Sequence, residues 1–357
     1  MGRKSYQALA IVLLLWLAAC KKDKPAAVDN HLPNATGNIY VVCEGNFGNG
    51  DASLYTFKPS SDSVYGDLYK AANNQPLGDV FQGMQHIGDK LFLCVNNSDK
   101  VVAVNASNWV VAGSMNIPKP RYILPISATK AYVSTLYSNK VYIINPQTIQ
   151  VTGSLTLPNN NPEGMCLYNG NAIICTWDTL GNKIFKVDVT TDKIVQTITI
   201  AGYAPQEALL DKEQKLWVLA GNQPENKVCT WTCLDPSTGE VLKSFQFPDD
   251  VDAIRPVFNN TKDTLYFIEA NYYGSTVDNG IYRMSIYDAA LPTQPFVAAK
   301  QLQYFWALGI DPLTGNIFIG DPKGFTQKGS VSIYRPDGRQ INTFDVGVGP
   351  GHFYFDE

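Results

Sequence analysis

Apolar residues recur along the chain in short runs broken by polar turns, and the runs do not follow helical spacing. Met84-Gln85-His86-Ile87-Gly88-Asp89-Lys90-Leu91-Phe92-Leu93-Cys94 reads as strand, tight turn, strand. Met165-Cys166-Leu167-Tyr168-Asn169-Gly170-Asn171-Ala172-Ile173-Ile174-Cys175 repeats it at the same spacing. Residues 123–133, 208–219, 256–268 and 308–319 fit the same pattern. The turns Gly88-Asp89, Asn169-Gly170 and Thr314-Gly315-Asn316 carry hairpin chemistry. A second strand pair recurs as Lys140-Val141-Tyr142-Ile143-Ile144-Asn145, Lys183-Ile184-Phe185-Lys186-Val187-Asp188 and Ser330-Val331-Ser332-Ile333-Tyr334, closed by turns such as Pro336-Asp337-Gly338.

Four antiparallel strands in about 45 residues make a β-propeller blade. Residues 38–357 hold about seven of them, which predicts an all-β fold, a seven-bladed propeller of four-stranded antiparallel blades. The ends suit ring closure. Ile39-Tyr40-Val41-Val42-Cys43 occupies a second-strand position, and Gly351-His352-Phe353-Tyr354-Phe355-Asp356 is an unpartnered first strand. Pairing the two closes the ring with the C-terminal strand and hides both edges. A β-solenoid is the structural alternative, but its repeat is shorter and leaves no complementary half-blades. No stretch shows a helical period.

Ahead of the repeats, Arg3 and Lys4 precede an unbroken apolar run over residues 8–19. The run is shorter than the ~20 residues a spanning helix needs and reads as a secretory signal peptide over residues 1–19. It ends in Leu17-Ala18-Ala19-Cys20, which resembles a bacterial lipobox, so Cys20 is the expected lipidation site. An ordinary signal peptide with an incidental Cys is the alternative. Residues 20–37 read as the lipidated Cys and a flexible tether, with Pro25, Pro33, Asn30 and Asn34 and few large apolar groups. Lys21-Lys22-Asp23-Lys24 resembles a surface-export signal and equally suits a solvated tether. The membrane contact expected is through the lipid anchor only, on an outer membrane and facing the cell exterior.

Composition narrows the function classes. The chain has 357 residues, 45% hydrophobic and 17% charged, with 28 basic against 32 acidic residues. It is too apolar for disorder and not basic enough for a nucleic-acid surface. After residues 1–19 and Cys20, six cysteines remain: Cys43, Cys94, Cys166, Cys175, Cys229 and Cys233. An even count suits disulfides in an exported protein, yet Cys43 and Cys94 sit in apolar runs. Cys229 and Cys233, four apart on one strand, stand about 13 Å apart, too far to bridge. Most read as buried thiols. No CxxC and no clustered His support a metal site, and no cofactor is expected.

The loops between second and third strands lie on one side of a propeller. They carry Phe47, Tyr137, Trp177, Tyr272, Tyr273 and Phe325, and the blade connections add Tyr203, Tyr304, Phe305 and Trp306. The turns of the opposite side are almost bare of aromatics. Aromatics on Asn-rich loops suit a large planar or sugar-like ligand, and packing of loop against loop is the alternative. The starts of the first strands form a second ring near the channel mouth: Gln82, Arg121, Glu163, Gln206, Ile254, Trp306 and Gly351, with Tyr122, Glu207, Arg255 and His352 next to them. From the two sets the candidate ligand-binding residues are Phe47, Tyr137, Trp177, Tyr203, Tyr272, Tyr273, Trp306, Phe325, Arg121, Glu163, Gln206 and Arg255. A water-filled channel with paired side chains is the alternative for the ring. Glu163, Glu207, Arg121 and His352 would be the members of an acid–base cluster, but no spacing marks one, and a catalyst is not expected.

Glu44-Gly45-Asn46-Phe47-Gly48-Asn49-Gly50-Asp51-Ala52-Ser53-Leu54, Pro76-Leu77-Gly78-Asp79, Pro120-Arg121-Tyr122-Ile123, Pro162-Glu163-Gly164-Met165 and Gly349-Pro350-Gly351-His352-Phe353 together resemble the YncE-like (YVTN-repeat) surface propeller lipoproteins of Bacteroidota. That group includes the cobalamin-binding BtuG proteins. The resemblance implies a cell-surface protein that captures a corrinoid, or another large small-molecule ligand, for a TonB-dependent outer-membrane transporter. A surface protein-interaction platform is the alternative, and a lactonase- or lyase-type propeller a further one.

Overall fold

The computed structural model describes residues 37–221, 228–270, 279–301 and 303–356. The predicted signal peptide, Cys20, nearly all of the tether, Tyr272 and Tyr273 lie outside the described residues.

Seven four-stranded antiparallel sheets form the propeller. Blade 1 runs Phe81–Ile87, Lys90–Val95, Lys100–Asn105 and Val111–Asn116 from channel to periphery. Blades 2 to 6 begin with the inner strands Pro120–Ser127, Pro162–Tyr168, Pro205–Leu210, Asp252–Phe258 and Ala307–Ile310. Blade 7 is built from both chain ends. Its inner strand is Pro350–Phe355, and Ile39–Cys43, Ser53–Lys58 and Ser63–Tyr65 follow outward.

Burial explains the order within a blade. Second strands lie between neighbouring blades and are apolar on both faces, as in Ile39–Cys43 and Leu216–Ala220, where every residue is buried. Fourth strands meet solvent and bury little; Gln150–Thr156 buries only Leu155. Between blades 4 and 5, Trp217, Trp231 and Phe267 are fully buried, with edge-to-face ring contacts at 6.3 and 6.1 Å. Each such side chain contributes roughly 1.5–3 kcal/mol by leaving water.

The seam pairs Ile39 with Phe355, Val41 with Phe353 and Val42 with His352. Asp356 N donates to Asn38 O at 3.0 Å, and Glu44 N to Gly349 O at 2.7 Å. The expected closure by the C-terminal strand is therefore the observed one. Among the described residues one α-helix and three short 3-10 turns depart from the all-strand reading. Leu68–Asn73 is a six-residue α-helix linking blade 7 to blade 1, capped by Asp67 and burying Tyr69. Six residues are too few to display a helical period in sequence.

All six cysteines of the propeller are free thiols, and five of them are buried. Burial pushes the Cys43 and Cys94 thiols well above the ordinary range. No helix among the described residues is long and apolar enough to cross a membrane.

Candidate functional site

The inner strands do not pair evenly with their neighbours. In six blades the register shifts near the start of the inner strand, at Phe81/Gly83, Pro120/Ile123, Pro162/Met165, Pro205/Glu207, Ile254/Val257 and opposite Val42/Cys43. A β-bulge leaves a residue out of the ladder and re-aims its side chain. The residues released include Gln82, Arg121, Tyr122, Glu163, Gln206, Arg255 and Gly351. Proline favours the arrangement at Pro120, Pro162, Pro205 and Pro350, because the first position of a strand needs no N–H in the ladder. The chain reaches these strands through left-handed residues: Val80, Lys119, Asn161, Ala204 and Gly349 have φ between 43° and 64°.

The released side chains converge at one mouth of the channel around a pocket of about 240 Å³, lined with Glu44, Trp177, Glu207, Ile254 and Trp306 as well. Two ionic clusters organise it. Arg121 Nε donates to both oxygens of Glu163 at 3.0 Å, its Nη2 lies 2.8 Å from Glu163 Oε1, and its Nη1 donates to Gln82 Oε1 at 2.5 Å. Burial opposes the Arg121 charge, and Glu163 beside it more than restores it. Arg255 sits at φ 53° and reaches across the mouth. Its Nη2 donates to Glu44 Oε1 at 3.0 Å, its Nη1 contacts His352 Nε2 at 2.8 Å, and its guanidinium lies 5.1 Å from the Trp306 ring centre. Trp306 Nε1 donates to the same Glu44 oxygen at 3.0 Å.

Two groups have shifted protonation. Burial and the two guanidiniums hold His352 neutral, well below its usual range. A neutral ring facing Arg255 accepts at Nε2 and so carries its proton on Nδ1. Glu207 is pushed up to about 7, first by burial and then by Glu163, against the pull of Arg255 and Arg121. Its carboxylate lies over Gly164, where a Cβ would stand 2.6 Å from Oε2. Among the described residues it makes no hydrogen bond or ion pair, so it is the carboxylate of this mouth left open to the pocket.

Of the twelve candidate residues, the pocket brings together Arg121, Glu163, Gln206, Arg255, Trp177 and Trp306. Trp177 Nε1 and Gln206 Nε2 both donate to Gly221 O, at 3.1 and 3.4 Å. Phe325 packs edge-on against Trp306 at 5.4 Å. Phe47, Tyr137 and Tyr203 stand on the surrounding rim, 75%, 80% and 48% exposed, and do not line the pocket. Tyr137 holds a left-handed backbone, its N–H bound to Asn161 Oδ1 at 2.8 Å. Phe305, read from sequence with the rim aromatics, is instead buried in the core between blades 5 and 6. Sequence reasoning passed over Glu44. It comes from the end of a second strand, not from the inner ring, and its carboxylate fills the space beside Gly351, where a Cβ would lie 2.1 Å from Oε1. The signal was present as the one ring position with no side chain.

The opposite mouth differs. There Met165, Leu167, Leu209 and Ile310, with Asn259, Asn260 and Lys262, line a broader hollow of about 620 Å³. Among the described residues its turns carry one exposed aromatic, Tyr287, whose hydroxyl donates to Glu213 at 2.6 Å and whose ring lies 5.2 Å from the Lys212 ammonium.

The family model for a domain of unknown function, DUF5074, matches residues 37–356. No curated protein matches the chain by sequence. Among solved structures, a quinonprotein alcohol dehydrogenase-like protein of Bacteroides thetaiotaomicron superposes with a TM-score of 0.65 at 16% identity, over 90% of this chain and 78% of that one. Kuenenia stuttgartiensis hydrazine synthase gives 0.60 at 14% identity, over 74% and 86%. A streptogramin B lyase gives 0.54 at 14%, over 76% and 86%. Likeness at these identities shows the propeller fold alone.

Proposed function

The chain belongs to the DUF5074 family, and we propose that this member captures a ligand at the cell surface. In this reading it is a lipoprotein held at the outer membrane through Cys20, a binder and not a catalyst, and it delivers its cargo to a TonB-dependent transporter. A corrinoid is the favoured cargo, on the resemblance to the BtuG proteins.

One observation carries the reading: the ionic pocket and the exposed aromatics share one rim. Solvent-facing aromatics cost solubility unless something covers them, and Tyr137 is 80% exposed on a left-handed backbone that Tyr does not favour. A pocket of about 240 Å³ is below the usual range for drug-sized ligands. A corrinoid therefore lies across the mouth, its faces on Phe47, Tyr137 and Tyr203, with a peripheral group in the pocket. The chain enters the propeller at Gly37, on the rim opposite this mouth, which suits a receptor held from that side.

Cobalamin titrated into the full chain is expected to quench tryptophan fluorescence saturably at micromolar concentration, through Trp177 and Trp306. Absence of both saturable quenching and binding heat removes the corrinoid. Recovery of a TonB-dependent transporter with the protein from outer membranes tests the delivery step.

A further inference from the structure

We propose that the open mouth recognises an organic ammonium group, and that Glu207 is its anchor. The inference rests on the capture reading but not on its corrinoid cargo, whose peripheral carboxamides carry no ammonium: it names the charge class of the group that fits the pocket.

The lining holds two cations, Arg121 and Arg255, and three carboxylates, Glu44, Glu163 and Glu207. Arg121 is taken up by Glu163 and Gln82, and Arg255 by Glu44, His352 and the Trp306 carbonyl. Neither guanidinium has a free fork to offer an anion. One carboxylate remains, and an ammonium ion would bring the lining to neutrality. His352 is neutral and does not alter the sum.

Shape and surroundings agree. Gly164 leaves space for the Glu207 carboxylate above its backbone, as Gly351 does for Glu44. A volume of about 240 Å³ equals roughly eight waters at ~30 Å³ each, enough for a head group and a short stem. Trp177, Trp306 and Tyr122 supply aromatic wall, which attracts alkylammonium ions. The groups that act on Glu207 are Glu163 from blade 3 and the guanidiniums of Arg121 and Arg255 from blades 2 and 5; Tyr122, Cys166 and Cys175 in turn feel its charge. Its carboxyl, raised to about 7, is ionised above neutrality and protonated below it, so ammonium binding releases a proton at neutral pH.

Propylammonium is the probe, with propionate as the anionic counterpart, titrated into the full chain with tryptophan fluorescence and calorimetry. Saturable binding of propylammonium at pH 8, about tenfold weaker at pH 6, is expected, with none for propionate. Glu207→Gln should weaken propylammonium at least tenfold and abolish the pH dependence, while Glu207→Asp retains both in reduced form. The wild-type pH series needs no variant to fold. No saturable propylammonium binding, equal binding to Glu207→Gln, or a flat pH profile overturns the proposal. The two readings fail separately. If cobalamin binds and Tyr137→Ala weakens it while propylammonium ignores Glu207, capture stands and the ammonium anchor falls. If propylammonium binds through Glu207 and cobalamin does not bind, the anchor stands and the corrinoid falls.

Discussion

The two mouths of the channel are made from opposite ends of the same inner strands, yet they are chemically unlike. One gathers two arginines, three glutamates and two tryptophans into about 240 Å³; the other is a hollow of about 620 Å³ that among the described residues has no carboxylate and sets aliphatic side chains beside Asn259, Asn260 and Lys262. The difference follows from the ladder. At the charged mouth six inner strands bulge, and five of them release side chains that line the pocket. Past the bulge, pairing is regular, as from Met165 with Ile174 to Tyr168 with Asn171. There the side chains alternate, and Met165, Leu167, Leu209 and Ile310 line the hollow. A local backbone irregularity, repeated around a ring, turns a structural channel into a polar site.

Variants that remove charge at one mouth and bulk at the other put the contrast to the test. Glu44→Ala should cost the most, about 3 kcal/mol by denaturant titration, because it leaves Arg255 and the Trp306 N–H without their shared acceptor. A loss below about 1 kcal/mol would mean that solvent already satisfies the cluster. Next is pH. The Glu207 carboxyl is raised above its ordinary value, so it stabilises the fold fully below about 4.5, and that contribution fades as pH rises through about 7. His352 is lowered and works the other way, losing stability as pH falls through its ordinary ~6.5. The two slopes oppose each other in weak acid. Glu207→Gln should therefore remove a loss on the order of 1–2 kcal/mol between pH 5 and pH 8 and expose the His352 slope on the acid side. Unchanged pH dependence of the melting temperature in Glu207→Gln would refute the shift. At the other mouth, Leu209→Ser should cost about 1 kcal/mol, since the side chain is only partly buried, and leave cobalamin and propylammonium titrations unaltered. Altered titrations would show that the mouths communicate. Smallest on stability is Tyr137→Ala, within about 0.5 kcal/mol, with reduced capture of the cargo as its main effect.

Much of this was legible from pattern. Each blade repeats strand, turn and strand, and the hairpin turns at Asn169-Gly170 and Thr314-Gly315-Asn316 fix where one strand ends and the next begins. Aligning those repeats puts Arg121, Glu163, Gln206 and Trp306 at equivalent positions, and the structure gathers them around one pocket. What alignment cannot display is reach. Glu44 belongs to a different strand position and enters the ring because Gly351 vacates it, a complementarity between residues at opposite ends of the chain. Phe305 and Trp306 are neighbours in sequence, yet one faces the core and the other the pocket, since alternate residues of extended chain point oppositely. The bulges too are invisible in a strand-length pattern, although Pro120, Pro162, Pro205 and Pro350 mark four of the six.

The seam has a consequence for when the protein becomes competent. Glu44 lies at the beginning of the ring and meets Arg255 and Trp306 across 211 and 262 residues of chain, while His352 and Gly351 arrive with the last strand. A chain still emerging, or one that has lost its final strand, lacks the His352 contact to Arg255 and the closure that seats Glu44 beside Gly351, however well its other blades have formed. The charged mouth is thus assembled last, and in the proposed capture reading occupancy would report a finished molecule: a partner that accepts only the loaded form would also be rejecting every incomplete one.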